Sequence, residues 1–261
     1  MSLHHGKTMI VTGGAGAIGF ATAKILAGEG ANVLLVDIAG DRLEQRGKEL
    51  RDRGIAVETI CEDCSQEESV QRYVDAAVKK FGRIDGFFNN AGTEGKLAPT
   101  WEYDVEEFDR IIATNLRSMF LGLRYVLPVM VKQAYGAVVN TASIASERGL
   151  AGACAYNASK HGVVGLTRTA ASEAGPKGVR VNCVMPGVIE TPLLRGMLEQ
   201  MFPTVEVGLD TLGKVATLNR VAQPDEVGKV VSFLLSNQAS FVNGAAWEVD
   251  GGALATIRND V

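Results

Sequence analysis

Short, uniformly apolar runs alternate along the chain with longer stretches whose apolar residues recur at helical spacing. The apolar runs are rich in β-branched residues and predict strands at residues 8–12, 32–37, 55–60, 83–89, 136–142, 179–185 and 247–249. The stretches between them predict helices, first from the glycines after the first strand to about residue 30, then at 41–53, 69–81, 104–133, 153–175 and 224–236. Strands that are apolar throughout are typical of a parallel sheet covered by helices on both faces.

This alternation of strands and helices predicts an α/β fold of the Rossmann type. Right-handed crossovers would wind about seven parallel strands into a doubly wound sheet, with ligands bound beyond the carboxyl ends of the strands. Neither a Pro/Ser-rich linker nor an internal repeat divides the 261 residues. Residues 1–261 are therefore predicted to form one domain.

A glycine-rich turn joins the first strand to the first helix. Gly14, Gly16 and Gly19 form the pattern G-x-G-x-x-G in the strand–turn–helix context that a dinucleotide site requires. Glycines let backbone N–H groups approach a pyrophosphate, and the amino end of the helix adds a partial positive charge. The alternative is a turn that joins strand to helix and binds nothing.

Asp37 ends the second strand about 20 residues after the glycine turn, where a carboxylate accepts hydrogen bonds from an adenosine ribose. The same charge repels a 2′-phosphate, and neither Arg nor Lys directly follows Asp37. The sequence therefore favours NAD over NADP. Arg42 keeps the alternative open, since its side chain could turn toward a phosphate.

Tyr156 and Lys160 are four residues apart in a predicted helix, so their side chains lie on one face about a turn apart. An ammonium beside a phenol stabilises the phenolate and lowers the tyrosine pKa from about 10 toward neutrality. Such a phenol is a candidate acid and base. Pairs with this spacing also occur by chance on exposed helices, so the hypothesis depends on Ser143 and the cofactor turn as well.

Composition and charge narrow the class of partner. A net charge of −4 and a pI near 5.5, without a basic stripe, argue against nucleic acid and anionic membranes and favour a small-molecule substrate. The apolar runs are too short to span a bilayer and the first residues lack a signal-peptide core, which predicts a cytoplasmic location. The four cysteines are expected to be reduced, and the pair Cys61 and Cys64 lacks a second ligand pair, so no metal site is predicted.

Several motifs together resemble those of the classical short-chain dehydrogenase/reductase family, over essentially the whole chain. They are a T-G-x-x-x-G-x-G turn, an N-N-A-G turn, a mid-helix asparagine, a serine, tyrosine and lysine trio, a P-G pair followed by threonine, and a V-D-G-G segment. In this sequence they occupy residues 12–19 and 89–92, Asn115, Ser143, Tyr156, Lys160, Pro186-Gly187 with Thr191, and residues 249–252. Ala17 departs from the pattern, because it stands where the family usually has its second glycine.

The resemblance implies an NAD-dependent alcohol dehydrogenase or carbonyl reductase. Tyr156 would give a proton to a carbonyl oxygen, or take one from an alcohol, as hydride moves to or from nicotinamide. Lys160 would lower the pKa of Tyr156 and bind the nicotinamide ribose. Ser143 would hold the substrate oxygen and Asn115 would anchor a water, unless they only cap a helix and bond a local carbonyl. The implied cofactor contacts are Gly13, Gly16, Ala17, Ile18, Gly19, Asp37, Ile38, Asp63, Cys64, Asn90, Ala91, Gly92, Tyr156, Lys160, Pro186, Gly187, Val188, Ile189 and Thr191.

The resemblance also places a substrate lid at residues 191–220. Its apolar stripe is Leu193, Leu194, Met197, Leu198, Met201 and Phe202. The expected substrate contacts are Glu94, Ser143, Cys154 and Met197. Segments 83–96 and 160–168 are similar to those of bacterial family members that act on cyclic alcohols and diols, which implies a cyclic, largely apolar ketone or secondary alcohol.

The family commonly forms tetramers, so the resemblance also implies a homotetramer, with which the long helices 104–133 and 153–175 are compatible. Three alternatives to an NAD-dependent dehydrogenase stay open. A dehydratase or epimerase would share the tyrosine and lysine but is usually longer. A non-enzymatic NAD-sensing regulator would have no need of the catalytic trio, and an NADP-dependent carbonyl reductase would require a different environment at Asp37.

Overall fold

The computed structural model describes residues 2–255, except for the side chains of residues 193, 197 and 200. The strands in that part of the chain are β1 (Thr8–Thr12), β2 (Asn32–Asp37), β3 (Val57–Cys61), β4 (Gly86–Asn89), β5 (Gly136–Thr141), β6 (Val179–Pro186) and β7 (Ala246–Val249). The α-helices there are α1 (Ala17–Gly28), α2 (Gly40–Arg51), α3 (Glu67–Phe81), α4 (Val105–Ile112), α5 (Ser118–Gln133), α6 (Cys154–Ala174), α7 (Pro192–Met201), α8 (Val205–Gly213) and α9 (Pro224–Leu235).

These strands form one sheet in the order β3-β2-β1-β4-β5-β6-β7, and every neighbouring pair is parallel. The strand order reverses between β1 and β4, which opens a crevice at the carboxyl ends of the central strands. The predicted doubly wound α/β sheet of about seven strands is therefore confirmed.

Both faces of the sheet are buried, which explains why its strands are apolar throughout. In β1, Met9 and Val11 pack toward α1 and α9, whereas Ile10 packs toward α3, α5 and α6. Successive strand residues point to opposite faces, so a strand covered on both sides has no position at which a polar residue is favoured. The same rule makes the rare polar residues of the strands informative.

The helix predicted at residues 104–133 is wrong as a single element. It consists of α4 and α5 separated by a π-helical turn, Ala113–Arg117, and α5 also contains Pro128. A π turn inserts extra backbone into a helix, and the helical spacing of apolar residues is present on both sides of it, which is why the pattern predicted one helix. Asn115 lies in this turn and is completely buried.

Two strands begin later than the apolar pattern predicts. β4 begins at Gly86 because the backbone N–H and C=O of Ile84 bond to the Gln133 side chain, at 3.0 and 2.7 Å, and the Thr8 N–H donates to the Asp85 carboxylate at 2.9 Å. β3 begins at Val57, after a tight turn in which the Ile55 N–H donates to the carbonyl of Leu50.

The predicted lid region folds into the two short helices α7 and α8. Thr191 and Thr204 cap them, each accepting a hydrogen bond from a backbone N–H three residues later, at 3.1 and 3.2 Å. Among the described helices, none has the length and apolar character needed to cross a membrane.

Candidate active site

The glycine turn after β1 has a backbone path that only glycine allows. Gly13 has a φ of +65°, in the left-handed region, and a Cβ there would lie 2.8 Å from Asn90 Nδ2. A Cβ at Gly19 would collide with the carbonyl oxygen of Gly13. Ala17 is the first residue of α1 and keeps a negative φ, so its methyl group causes no backbone strain.

The carboxylate of Asp37 is held at the end of β2 by two backbone donors. Its Oδ2 accepts a hydrogen bond from Ala15 N–H at 3.0 Å, and its Oδ1 accepts one from Ala39 N–H at 2.9 Å. The first bond ties Asp37 to the glycine turn, so the acid and the turn form one rigid surface. Ile38 beside it leaves 69% of its side chain exposed.

Asp63 and Cys64 follow β3 at the same edge of the sheet. Asp63 Oδ1 accepts a hydrogen bond from Ser65 N–H at 2.9 Å. Cys64 is buried, and the loss of hydration, together with the negative charges of Asp37 and Asp63, raises the pKa of its thiol to about 12. Cys64 is thus an unreactive thiol. No group of three or more His, Cys, Asp or Glu side chains suited to a metal ion lies within the described residues.

The N-N-A-G turn after β4 is pinned to its neighbouring strands. Thr12 Oγ1 accepts hydrogen bonds from the backbone N–H groups of Asn90 at 2.8 Å and Ala91 at 3.1 Å. The Asn90 amide donates to Thr12 O at 3.0 Å and accepts from the Thr141 hydroxyl at 3.0 Å. Gly92 follows, and a Cβ there would lie 3.6 Å from Lys160 Nζ. The motif was predicted, but the anchoring roles of Thr12 and Thr141 were not.

Ser143 follows β5 and begins a short 3₁₀ turn, Ile144–Ser146. Its Oγ accepts a hydrogen bond from Ala145 N–H at 3.1 Å, so Ser143 caps this turn. Its side chain also hydrogen-bonds Tyr156 and thereby lowers the pKa of the phenol. Ser146, which was not predicted as a site residue, donates to Lys160 O at 2.8 Å and joins the serine turn to α6.

Tyr156 and Lys160 share a face of α6, and Lys160 Nζ lies 5.6 Å from the centre of the tyrosine ring. Burial is the largest influence on the Tyr156 pKa and raises it; the Ser143 hydrogen bond lowers it and the Glu94 charge raises it. The expected lowering by Lys160 is therefore not what the structure gives. Lys160 is itself only 4% exposed, and the loss of hydration lowers its pKa to about 8, which weakens the effect of its charge.

The side-chain amide of Asn115 holds the loop after β4. Its Oδ1 accepts from Thr93 N–H at 2.8 Å, and its Nδ2 donates to Thr93 O at 2.7 Å and to Ser159 Oγ at 3.3 Å. The Ser159 hydroxyl in turn donates to Tyr156 O at 2.7 Å. Asn115 thus connects the N-N-A-G loop to the helix of the tyrosine, a contact that the sequence did not predict.

The segment after β6 crosses the mouth of the crevice on a fixed path. Gly187 N–H donates to the last carbonyl of β7 at 3.1 Å, and Ile189 pairs with Ala222 in an isolated parallel bridge. The predicted cofactor residues of this segment are Pro186, Gly187, Val188, Ile189 and Thr191. They lie at the same carboxyl edge of the sheet as the glycine turn, as expected.

The expected substrate residues are only partly brought together. Glu94 is exposed, and its charge acts on both Tyr156 and Lys160; incomplete hydration raises its pKa and the Lys160 charge lowers it. Cys154 is half-buried at the first residue of α6, two residues before Tyr156. The Met197 side chain lies outside the described part of the chain.

Comparison with known proteins identifies the family. A family model described as "Enoyl-(Acyl carrier protein) reductase" matches residues 13–253. The chain belongs to the short-chain dehydrogenase/reductase family. Levodione reductase of Leifsonia aquatica is 42% identical, over 95% of this chain and 94% of that protein. Cyclohexanol dehydrogenase of Acinetobacter sp. (strain SE19) is 37% identical, over 94% of each.

Solved structures of the family superpose closely on the chain. Levodione reductase gives a TM-score of 0.94 over 97% of this chain and 100% of that one, at 42% identity. NAD⁺-bound xylitol dehydrogenase gives 0.90 over 95% and 99%, at 34% identity. Actinorhodin polyketide ketoreductase with NADPH gives 0.90 over 95% and 97%, at 32% identity. The protein is therefore a dehydrogenase or reductase whose fold binds a nicotinamide cofactor, and its relatives include complexes with either dinucleotide.

Proposed function

We propose that the protein is an NAD(H)-dependent oxidoreductase that interconverts a secondary alcohol and a ketone on a cyclic, largely apolar small molecule. The observation that carries the proposal is the meeting of Ser143, Tyr156 and Lys160 at the sheet edge that also holds the glycine turn and Asp37. The relatives whose names specify levodione and cyclohexanol support the cyclic substrate.

The residues present fit a nicotinamide dinucleotide. The bare backbone around Gly13 and Gly19 leaves room for a pyrophosphate against the start of α1. The buried ammonium of Lys160 has three N–H donors, and within residues 2–255 its hydrogen-bond acceptor is Thr141 O at 2.9 Å. The remaining donors are available to the hydroxyls of a nicotinamide ribose. A buried charge with unspent donors supports a ligand at this position.

In the proposed reaction the bound cofactor supplies or accepts the hydride, and the chain supplies the proton and the geometry. Tyr156 Oη would donate its proton to the carbonyl oxygen during reduction and accept it from the alcohol during oxidation. Ser143 Oγ would hold that oxygen and polarise it. Lys160 would bind the hydroxyls of the nicotinamide ribose, and Asn115 would anchor a water that carries the proton to solvent.

The geometry of Asp37 supports NAD as the cofactor. Its two backbone hydrogen bonds fix a negative charge at the end of β2, where it would accept bonds from ribose hydroxyls and repel a 2′-phosphate. The alternative, an NADP-dependent carbonyl reductase, would need a cation at this place. Arg42 is exposed in the first turn of α2 and is the candidate for that role.

The test is turnover of NADH and NADPH by wild type and by Tyr156→Phe, with cyclic and linear ketones and with the matching alcohols in reverse. We expect NADH-dependent turnover of cyclic ketones that falls by at least about 100-fold in the variant, the scale of a lost general acid. Turnover with NADPH alone would contradict the role of Asp37. NADH binding without any turnover would favour the alternative, a non-enzymatic NAD-sensing regulator.

We further propose that the protein acts as a homotetramer in the cytoplasm. Phe120, on α5, is half-exposed beside a groove of about 490 Å³ that runs between α5 and the glycines of α6, and Trp247 on the edge strand β7 is 38% exposed. Exposed apolar surface of this kind supports association. A monomer in analytical ultracentrifugation at micromolar concentration would contradict the tetramer.

A further inference from the structure

The excursion that carries α7 and α8, residues 191–221, leaves the body of the protein and rejoins it at one place. Glu190 N–H donates to Ala222 O at 2.8 Å, and Ala222 N–H donates to Val188 O at 3.0 Å. The entry and the exit of the excursion are therefore fixed side by side. Residues at this bridge are therefore placed to fix the orientation of the excursion relative to the body of the protein.

The side chain of Glu190 is bonded on both sides of the bridge. Its Oε1 accepts a hydrogen bond from Arg195 Nε at 2.8 Å and another from Arg195 Nη2, and Arg195 belongs to α7. Its Oε2 accepts a hydrogen bond from Gln223 Nε2 at 2.7 Å, and Gln223 is the N-cap of α9. One carboxylate thus joins a helix of the excursion to a helix that packs on the sheet.

These bonds are of the strong, charge-assisted kind. The Glu190 side chain is 18% exposed, and its hydrogen bonds from Gln223 and Arg195 lower its pKa, so it is ionised at neutral pH. The Arg195 guanidinium binds one carboxylate oxygen through two nitrogens, and the Gln223 amide binds the other oxygen. Together they fix the orientation of the carboxylate and favour its ionised form.

The excursion is also attached at its far end, where Thr217 Oγ1 donates to Gly251 O at 2.8 Å and Arg220 pairs with Glu226 of α9. The helices α7 and α8 themselves, among the described elements, pack chiefly on each other, and Leu198 of α7 and Phe202 just after it close over Gly208 of α8. A helical pair held mainly by its own contacts is free to change its angle unless its ends are tied. The contacts of Glu190 are such a tie.

We propose that Glu190 is a positioning residue. Its carboxylate fixes the orientation of the α7–α8 pair over the crevice, because it bonds Arg195 and Gln223 at once. Thr191, the first residue of the excursion, directly follows Glu190. A change at Glu190 therefore alters the wall of the crevice, and it removes no group that touches the glycine turn.

Amide hydrogen exchange, measured by mass spectrometry on the full chain, tests without any substrate whether Glu190 holds α7 in place. In Glu190→Gln, Glu190→Ala and Arg195→Ala, we expect α7 to exchange about five-fold faster, the scale of a partly exposed ion pair. The double variant Glu190→Ala with Arg195→Ala should exchange no faster than Glu190→Ala alone, because that change already removes the contact with Arg195.

Asp210→Asn is the matched control, since it removes an ion pair to Lys214 of 2.7 Å at the far end of α8 that does not cross the bridge. Its α7 exchange should equal that of wild type. Wild-type exchange of α7 in both Glu190→Ala and Arg195→Ala would overturn the proposal, as would equal acceleration in Asp210→Asn.

The kinetic arm rests on the proposed function, and the exchange arm does not, so the two can fail separately. With a ketone that wild type reduces, Glu190→Ala should raise KM several-fold while kcat stays within about two-fold, as expected when uniform binding is lost. The NADH affinity, measured by fluorescence, should be unchanged. An unchanged KM in a variant whose α7 exchanges faster would overturn the positioning role.

Discussion

Gly19 and Gly28 lie in the same helix, but an added methyl group should have opposite effects at the two positions. In Gly19→Ala the new Cβ would meet the Gly13 carbonyl and displace the turn, so we expect NADH affinity to fall by at least about ten-fold, the cost of more than 1.4 kcal/mol of strain. Nothing lies within 4 Å of a Cβ at Gly28, and Gly28→Ala should stabilise the helix by about 0.5 kcal/mol.

Fluorescence titration with NADH and thermal melts distinguish the two variants. Gly28→Ala should bind NADH as wild type does and melt slightly higher. Wild-type affinity in Gly19→Ala would show that the turn can yield, and would contradict its close approach to the pyrophosphate.

Glu94 affects the titration of both Tyr156 and Lys160. Its negative charge raises the pKa of Tyr156 and the pKa of Lys160, which burial has lowered to about 8. Glu94→Gln removes that charge, so both pKa values should fall and the pH profile of kcat/KM should move to lower pH. Glu106→Gln, on the first turn of α4, is the control and should leave the profile in place. A profile that moves to higher pH in Glu94→Gln would contradict this electrostatic role.

At the scale of residues, sequence patterns predicted the groups whose chemistry is rare and missed those whose role depends on distant partners. A tyrosine and a lysine four apart, together with Ser143 and the glycine turn, indicate a candidate acid/base site. Thr12 and Thr141 do not, because the Asn90 backbone that Thr12 binds is 78 residues away and reaches it only in the folded sheet. For the same reason, a local pattern could not predict the role of Ser146 or the effect of burial on the pKa of Tyr156.

At the scale of elements, the π turn between α4 and α5 is the feature that the sequence did not predict. Helical spacing of apolar residues continues on both sides of it, so periodicity alone joins α4 and α5. The turn is stabilised by a tertiary contact, the amide of Asn115 with the backbone of Thr93, and a local pattern carries no trace of that partner.

Asn115→Ala should therefore destabilise the whole domain. It leaves the N–H and C=O of Thr93 without their partner beside a completely buried position, and we expect a loss of about 2 kcal/mol in the free energy of unfolding. Urea denaturation measures the loss. Gln71→Ala, which removes one exposed hydrogen bond to Tyr125, is the control and should cost less than about 0.5 kcal/mol. Equal midpoints for both variants would contradict a stabilising role for the turn.

At the scale of the whole molecule, the alternation of elements was sufficient to predict the sheet, because burial on both faces leaves few other arrangements for seven apolar strands. It could not predict how the first residues join the body. His4 is completely buried between α1 and α9, and its Nε2 lies 3.0 Å from Ser232 Oγ and 3.5 Å from the Glu29 carboxylate.

Stability should fall in mild acid because of this histidine. Burial, followed by the Lys7 charge, lowers the His4 pKa from 6.5 to about 4, despite an opposing contribution from Ser232. The folded protein therefore favours neutral His4: its contribution is complete above pH 6.5 and is lost as the pH falls toward 4. We expect a loss of roughly 2–3 kcal/mol over that window.

Thermal melts between pH 7.5 and 4.5 test the prediction. His4→Gln should melt lower than wild type at neutral pH but lose less stability toward pH 4.5. His161→Gln, at an exposed position on α6, is the control and should keep the wild-type slope. Equal slopes in wild type and His4→Gln would place the acid sensitivity elsewhere.

The parallel bridge between Ile189 and Ala222 has a consequence for how this architecture can diversify. Since the chain leaves and returns at adjacent points, the entropy of closing the excursion depends only weakly on its length, and residues can be inserted or deleted between the two ends at little cost to the sheet. The sequence of this segment and the stability of the sheet can therefore change independently: a segment grafted from a relative between these two anchor points would bring a new surface to an unaltered sheet.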